Sequence, residues 1–103
     1  MIRVKFSIGN NRLHGFEISG HSMFAPEGQD IVCAAVSSAA IMAANTLTEI
    51  IGAKIESDVK DGYMSIKLSS KQDECQNVLK GLRLHLNELA VQYPNQLKVF
   101  SEV

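Results

Sequence analysis

The chain of 103 residues has only two cysteines, two prolines and no run of like charges. Two cysteines are too few for a disulfide scaffold, so we expect Cys33 and Cys75 to be free thiols. Ten basic and eleven acidic residues give a net charge of −1. This balance argues against nucleic acid as a direct partner, because phosphate binding needs clustered lysine and arginine. The histidines and cysteines lack the spacing of a metal site, and we predict neither a metal nor a cofactor.

The sequence also has little that marks export or membrane insertion. Met1 begins an alternating strand pattern and not a signal peptide with an apolar core, so we expect a cytoplasmic protein. Residues 31–48 carry no charge, but their serine, asparagine and threonine side chains are unfavourable in a membrane-spanning helix. We therefore predict a central helix buried on nearly all sides and no membrane partner.

Two β-hairpins are predicted from alternation and turn residues. Residues 3–8 and 14–18 alternate between apolar and polar side chains on either side of Gly9-Asn10-Asn11. Residues 54–59 and 63–68 flank an Asp61-Gly62 turn, which is a strong hairpin signal. A further short strand is expected at residues 97–101.

Two helices are expected between and after these hairpins. Asp30 is a good N-cap for a helix that runs from Ile31 to Ile51, and Gly52 is its natural stop. Ser69 or Ser70 can cap a second, amphipathic helix that ends at residues 93–95. The apolar stripe of this second helix consists of Cys75, Val78, Leu79, Leu82, Leu86, Leu89 and Ala90.

These elements predict one α+β domain over residues 1–103, in the order ββαββαβ. The sheet is expected to be mainly antiparallel, with the long first helix at the centre of the core. The order of the strands within the sheet stays open.

Cys33 is the residue whose position most clearly favours a reactive side chain. As the third residue of the predicted helix, it lies where free N–H groups and the helix dipole favour an anion. His21 lies on the preceding Gly/Pro-containing loop, which must fold back toward the helix start, so it can serve as a general acid or base. The first N–H groups of the helix, with Gly28 permitting close approach, can stabilise an oxyanion. Residue types alone leave catalysis open, because a buried cysteine and an exposed loop histidine are both common.

Several neighbouring residues have two interpretations. Asp30 can cap the helix, or its carboxylate can orient His21 as the third member of a triad. Met23 and Phe24 on the loop can contact an apolar substrate or anchor the loop itself.

The other histidines and the second cysteine are not expected to do chemistry. His14 is predicted to be a half-buried strand residue and His85 a solvent-facing helix residue. Cys75 belongs to the apolar stripe of the second helix.

One long motif resembles that of a known family. Gly20-His21 followed by residues 28–37, with the sequence GQDIVCAAVS, is similar to the signature of the ribosomal-processing cysteine proteases, the Prp family. Chain length and the predicted element order fit that family over all 103 residues. The residue after the histidine, often alanine in that family, is Ser22 here, which leaves the catalytic pair untouched.

The resemblance implies a cytoplasmic cysteine endopeptidase and a homodimer. Such enzymes remove a short N-terminal extension from large-subunit ribosomal protein L twenty-seven, cutting after an aromatic residue in an apolar sequence. Cys33 maps to the nucleophile and His21 to the proton donor and acceptor. Asp30 and Ser37 match other positions that line the site, and the loop between His21 and Gln29 would be a mobile lid.

Two other functions are compatible with the same residues. One is a non-enzymatic, ribosome-associated protein-binding module in which the cysteine is incidental. The other is an anion-binding or thiol redox role at the start of the first helix.

Overall fold

The structure, a computed structural model, describes residues 1–20 and 29–103, the side chains of residues 29 and 30 excepted. Five strands and two α-helices follow one another in the predicted order ββαββαβ. Their bounds are β1 Ile2–Gly9, β2 Arg12–Ser19, α1 Gln29–Asn45, β3 Ile55–Lys60, β4 Tyr63–Leu68, α2 Gln72–Gln92 and β5 Leu97–Glu102. The prediction of an α+β domain with a mainly antiparallel sheet is confirmed.

The five strands form one sheet in the order β3-β4-β2-β1-β5. Both predicted hairpins are present, and β2 joins them by pairing with β4 in an antiparallel arrangement. Strand β5 pairs with β1 in a parallel arrangement, and neither this pairing nor the strand order was predicted from local patterns. Strands β3 and β5 are therefore the two edges.

One face of the sheet is apolar and is covered by the helices. Facing residues on neighbouring strands, such as Val4 with Ile18 and Phe6 with Phe16, are all buried in the same cluster. The rings of Phe6 and Phe16 lie 6.1 Å apart between centroids, in tilted contact. This continuous row of side chains is the floor on which both helices pack.

A β-bulge near the first turn changes which residues of β2 point inward. Ser7 faces Gly15 and Ile8 faces Leu13, so His14 is the extra residue. Leu13 is consequently buried in the core. The imidazole of His14, half-buried as predicted, contacts Gln72 Oε1 at 2.7 Å and Gly9 O at 3.0 Å.

Helix α1 continues into a π-helical turn at Thr46–Ile50, where an uninterrupted α-helix was predicted. The hydroxyls of Thr46 and Thr48 donate to the carbonyls of Met42 and Ala44 one turn earlier. Such back-bonding competes with the regular helical ladder, because it draws on the same carbonyls. Gly52, with φ of +80°, ends the helix as predicted.

The prediction that the first helix is buried on nearly all sides is wrong. Ile31–Ile50 is apolar and long enough to cross a membrane by length and composition alone, but only 33 % of this stretch is buried. Val32, Val36, Ala40, Ala43 and Leu47 are fully buried and belong to the domain core. The helix is thus a core element whose outer face is open.

The predicted cap of α2 is also wrong. Its N-cap is Lys71, in a left-handed conformation with φ of 51° and without a side-chain cap bond. Ser70 is unavailable because its hydroxyl accepts the backbone N–H of Lys54 at 2.8 Å. The predicted apolar stripe is present: Cys75, Leu79, Leu82 and Leu86 are buried.

Candidate active site

Cys33 lies in the second turn of α1 and is 8 % exposed. The helix begins at Gln29, two residues before the predicted start, so Asp30 is its second residue and not its N-cap. An acidic residue is as favourable in the first helical turn as at the cap, since the helix dipole favours negative charge at both positions. Cys33 is therefore the fifth helical residue and not the third, and it lies at the edge of the region where backbone N–H groups are free.

The thiol faces away from α2. At 100° per residue, Ser37 lies about 40° from Cys33 on the helix surface and is half-buried. Ala35 and Ala39, on the opposite flank, line a groove of about 690 Å³ between α1 and α2. Cys33 and Ser37 therefore share the flank of α1 that α2 leaves free.

Gly20 determines how the chain leaves the sheet toward the predicted catalytic histidine. Its φ is +85°, and a side-chain carbon there would meet the carbonyl oxygen of Met1. Its N–H donates to the carbonyl of Gly62 at 3.2 Å, which ties the end of β2 to the turn between β3 and β4. A glycine is therefore required here by the backbone conformation and by the close approach of Met1.

The remaining predicted site residues lie outside the described residues. These are His21, Met23, Phe24 and Gly28, together with the side chain of Asp30. The pairing of His21 with Cys33 and the role of Asp30 stay predictions.

Three residues that were not expected to do chemistry lie away from Cys33 in buried, half-buried or exposed positions. Cys75 is fully buried, and burial raises the pKa of its thiol above the usual value of 9.0. His14 bonds to its neighbours at the bulge, and His85 is exposed. Within residues 1–20 and 29–103, no group of three histidine, cysteine or acidic side chains is placed to hold a metal.

Two apolar grooves border the open face of α1. One, of about 740 Å³, lies beside Ile41, Met42 and Ile50; the other is the groove between the helices. Neither is lined by Cys33 or Ser37, so these grooves are separate from the thiol.

A free thiol near the start of a core helix, with a Gly-His pair directly after β2 in the sequence, is compatible with a cysteine nucleophile. The family model described as cysteine protease Prp matches residues 1–98. The chain belongs to this family of cysteine proteases.

Related sequences and structures align with this chain over most of its length. The ribosomal processing cysteine protease Prp of Bacillus subtilis is 27 % identical over 95 residues, covering 85 % of each chain. The protein of the same name from Mycoplasma pneumoniae is 32 % identical over 91 residues, covering 88 % of this chain and 87 % of its own. Among solved structures, the protease Prp of S. aureus in complex with a substrate peptide superposes with a TM-score of 0.90. It is 19 % identical, and the match covers 99 % of this chain and 100 % of that one.

Proposed function

We propose that this protease removes the short N-terminal extension of ribosomal protein L twenty-seven during ribosome assembly, in the cytoplasm. The observation that carries the proposal is the position of Cys33, a free thiol in the second turn of α1. Support comes from the ribosomal processing function that the relatives' names state. The same fold in S. aureus has also been captured with a substrate peptide and with a covalently linked product peptide.

Cys33 is the nucleophile in the proposed mechanism, and His21 is the general acid and base. The thiolate attacks the scissile carbonyl carbon, and a C–S bond forms as the carbonyl becomes an oxyanion. The C–N bond then breaks while imidazolium donates its proton to the leaving amine. Water attacks the thioester as His21 accepts a proton, releasing the carboxylate product and regenerating the thiolate.

Supporting roles fall to residues near the helix start. The free backbone N–H groups of the first turn of α1, with Gly28 allowing close approach, stabilise the oxyanion. Asp30 either favours the helix start electrostatically or orients His21. Ser37 lies one turn beyond Cys33 on the same flank and lines the site. Met23 and Phe24 either contact the apolar extension or anchor the loop that carries them.

Cleavage of a precursor that carries its N-terminal extension tests this function. We expect the wild type and Cys75→Ala to cut the precursor, and Cys33→Ala and His21→Ala to be folded but inactive. The Cys75 variant is the matched thiol control, because that residue is buried in the core. Cleavage by Cys33→Ala would refute the assignment, and binding without cleavage by the wild type would favour a non-enzymatic module.

The open face of α1 supports a homodimer. Ile31, Ile41, Met42 and Ile50 are between 49 and 80 % exposed along one helix, and an exposed apolar stripe of this kind is typical of an interaction surface. Sedimentation should show a dimer for the wild type and a monomer for Ile41→Glu. The control Leu84→Glu changes an exposed leucine on α2 and should stay dimeric; a wild type that sediments as a monomer would refute the assembly.

A further inference from the structure

The flank of α1 that carries Cys33 faces the β3 side of the sheet. Helix α2 contacts β2 and β5, which places it over the β2-β1-β5 part of the sheet. Helix α1 lies beside α2, and Cys33 is on the flank of α1 opposite to the groove between the two helices. In the sheet order β3-β4-β2-β1-β5, the direction away from α2 leads over β4 to the edge strand β3.

Within the part of the chain that the structure describes, the two helices leave the apolar face of the sheet uncovered there. Val59 on β3 faces Met64 on β4, and Met64 in turn faces Ile18, which is buried in the core. Val59 thus projects from the same face as the core residues, yet it is 64 % exposed, and Met64 is half-buried. The floor of the core therefore continues beyond the helices, at the turn end of the second hairpin.

The end of α1 that bears Cys33 lies toward the same turn. The other end of the helix connects to the start of β3 through residues 51–54, and Ala53 N–H donates to Leu47 O at 2.8 Å. From Ile50 back to its start the helix is roughly 30 Å long, whereas β3 spans only about 17 Å. The start of the helix therefore reaches at least as far as the turn at the other end of β3. Gly20, from which the chain leaves the sheet, is bonded to Gly62 in the turn itself.

We propose that the outer edge of β3 receives the substrate as an added, extended strand, whose apolar side chains on the core face of the sheet pack beside Val59. This inference rests on the proposed protease function and adds a specificity-determining strand to it. An unpaired edge presents a row of free N–H and C=O groups to an extended peptide. All residues of β3 after Ile55 are exposed. The occupant is a peptide because the S. aureus protein of this fold is known in complex with a substrate peptide.

Steady-state cleavage of a synthetic peptide spanning the N-terminal extension tests the inference. We expect Val59→Lys to raise KM about tenfold with kcat little changed, because uniform binding is lost, and Val59→Ile to retain a normal KM. Val91→Lys changes a valine that is 81 % exposed on α2 and should leave both constants unchanged. A wild-type KM for Val59→Lys would overturn the inference. If Val59→Lys changes the sedimentation of the protein but not its KM, the edge of β3 pairs copies of the chain instead, and the inference is likewise overturned.

A second arm examines the peptide backbone. Single N-methylation along the peptide should weaken binding at every second position, since alternate residues of an added strand direct their N–H groups toward the edge. A profile without this alternation would overturn strand addition. Cleavage by the wild type and its loss in Cys33→Ala are measured in the same assay. A failure of the proposed function is therefore distinguishable from a failure of the β3 edge.

Discussion

Replacing Gly20 by alanine tests how strictly the structure determines the chain path into the active site. The backbone at Gly20 has φ of +85°, and the added carbon would meet the carbonyl oxygen of Met1. The left-handed conformation alone costs a non-glycine residue about 1–2 kcal/mol. Displacement of the Met1 backbone adds to this, so we expect Gly20→Ala to lower the free energy of unfolding by about 2–3 kcal/mol.

Gly81 offers a matched control for the same chemical change. It lies inside α2, and a side-chain carbon built there meets no atom within 4 Å. Glycine within a helix is less favourable than alanine by about 1 kcal/mol. Gly81→Ala should therefore stabilise the protein, whereas Gly20→Ala destabilises it.

Thermal unfolding followed by circular dichroism distinguishes the two outcomes. For a domain of this size, 2–3 kcal/mol corresponds to a decrease in Tm of roughly 10–20 °C. The Gly81 variant should melt at or slightly above the wild-type temperature. A Gly20→Ala protein with wild-type Tm would show that the contact with Met1 is not a constraint, and the argument from backbone geometry would fail.

Three further predictions concern the thiols and the contact between α2 and β2. Iodoacetamide should modify Cys33 in preference to Cys75 in the native protein when substrate peptide is present, as read by mass spectrometry; equal labelling would contradict the assignment. The raised pKa of the Cys75 thiol means that its stabilising contribution is present below pH 9.0 and is lost as pH rises through the folded-state pKa. Denaturant titrations should therefore show a steeper loss of stability above pH 9.0 for the wild type than for Cys75→Ala, and identical profiles would refute this assignment. Gln76 bonds both the N–H and the carbonyl of Leu13 at 2.8 Å, so Gln76→Ala should cost about 1–3 kcal/mol of unfolding free energy, and an unchanged Cm would count against this bridge.

Local patterns were sufficient for the elements because each signal acts over a few residues. The Asp61-Gly62 turn predicted the second hairpin, and Gly62 has φ of +75°. Gly52 predicted the helix end for the same reason. The parallel pairing of β5 with β1 depends on contacts across most of the chain, so no local pattern could predict it.

The errors in detail came from competition between distant groups. Ser70 has the side chain of a good N-cap, but Lys54 uses its hydroxyl. His14 is half-buried as predicted, but the bulge also turns Leu13 into the core, which the alternation did not predict. In the candidate site, Cys33 was predicted on the first helix near its start, and it is there; which flank it occupies depends on where α2 packs.

The composition of α1 explains how one helix can serve the core and the site together. Ala35 and Ala39 form the flank toward α2, and their small side chains let the two helices lie close together. Because α2 occupies that flank, the opposite one, with Cys33 and Ser37, is not covered by α2. The fully buried Val36 lies between the two flanks and faces the sheet. The alanines that made this stretch resemble a helix buried on all sides instead set the position of α2, and that position leaves the flank that carries Cys33 on the β3 side.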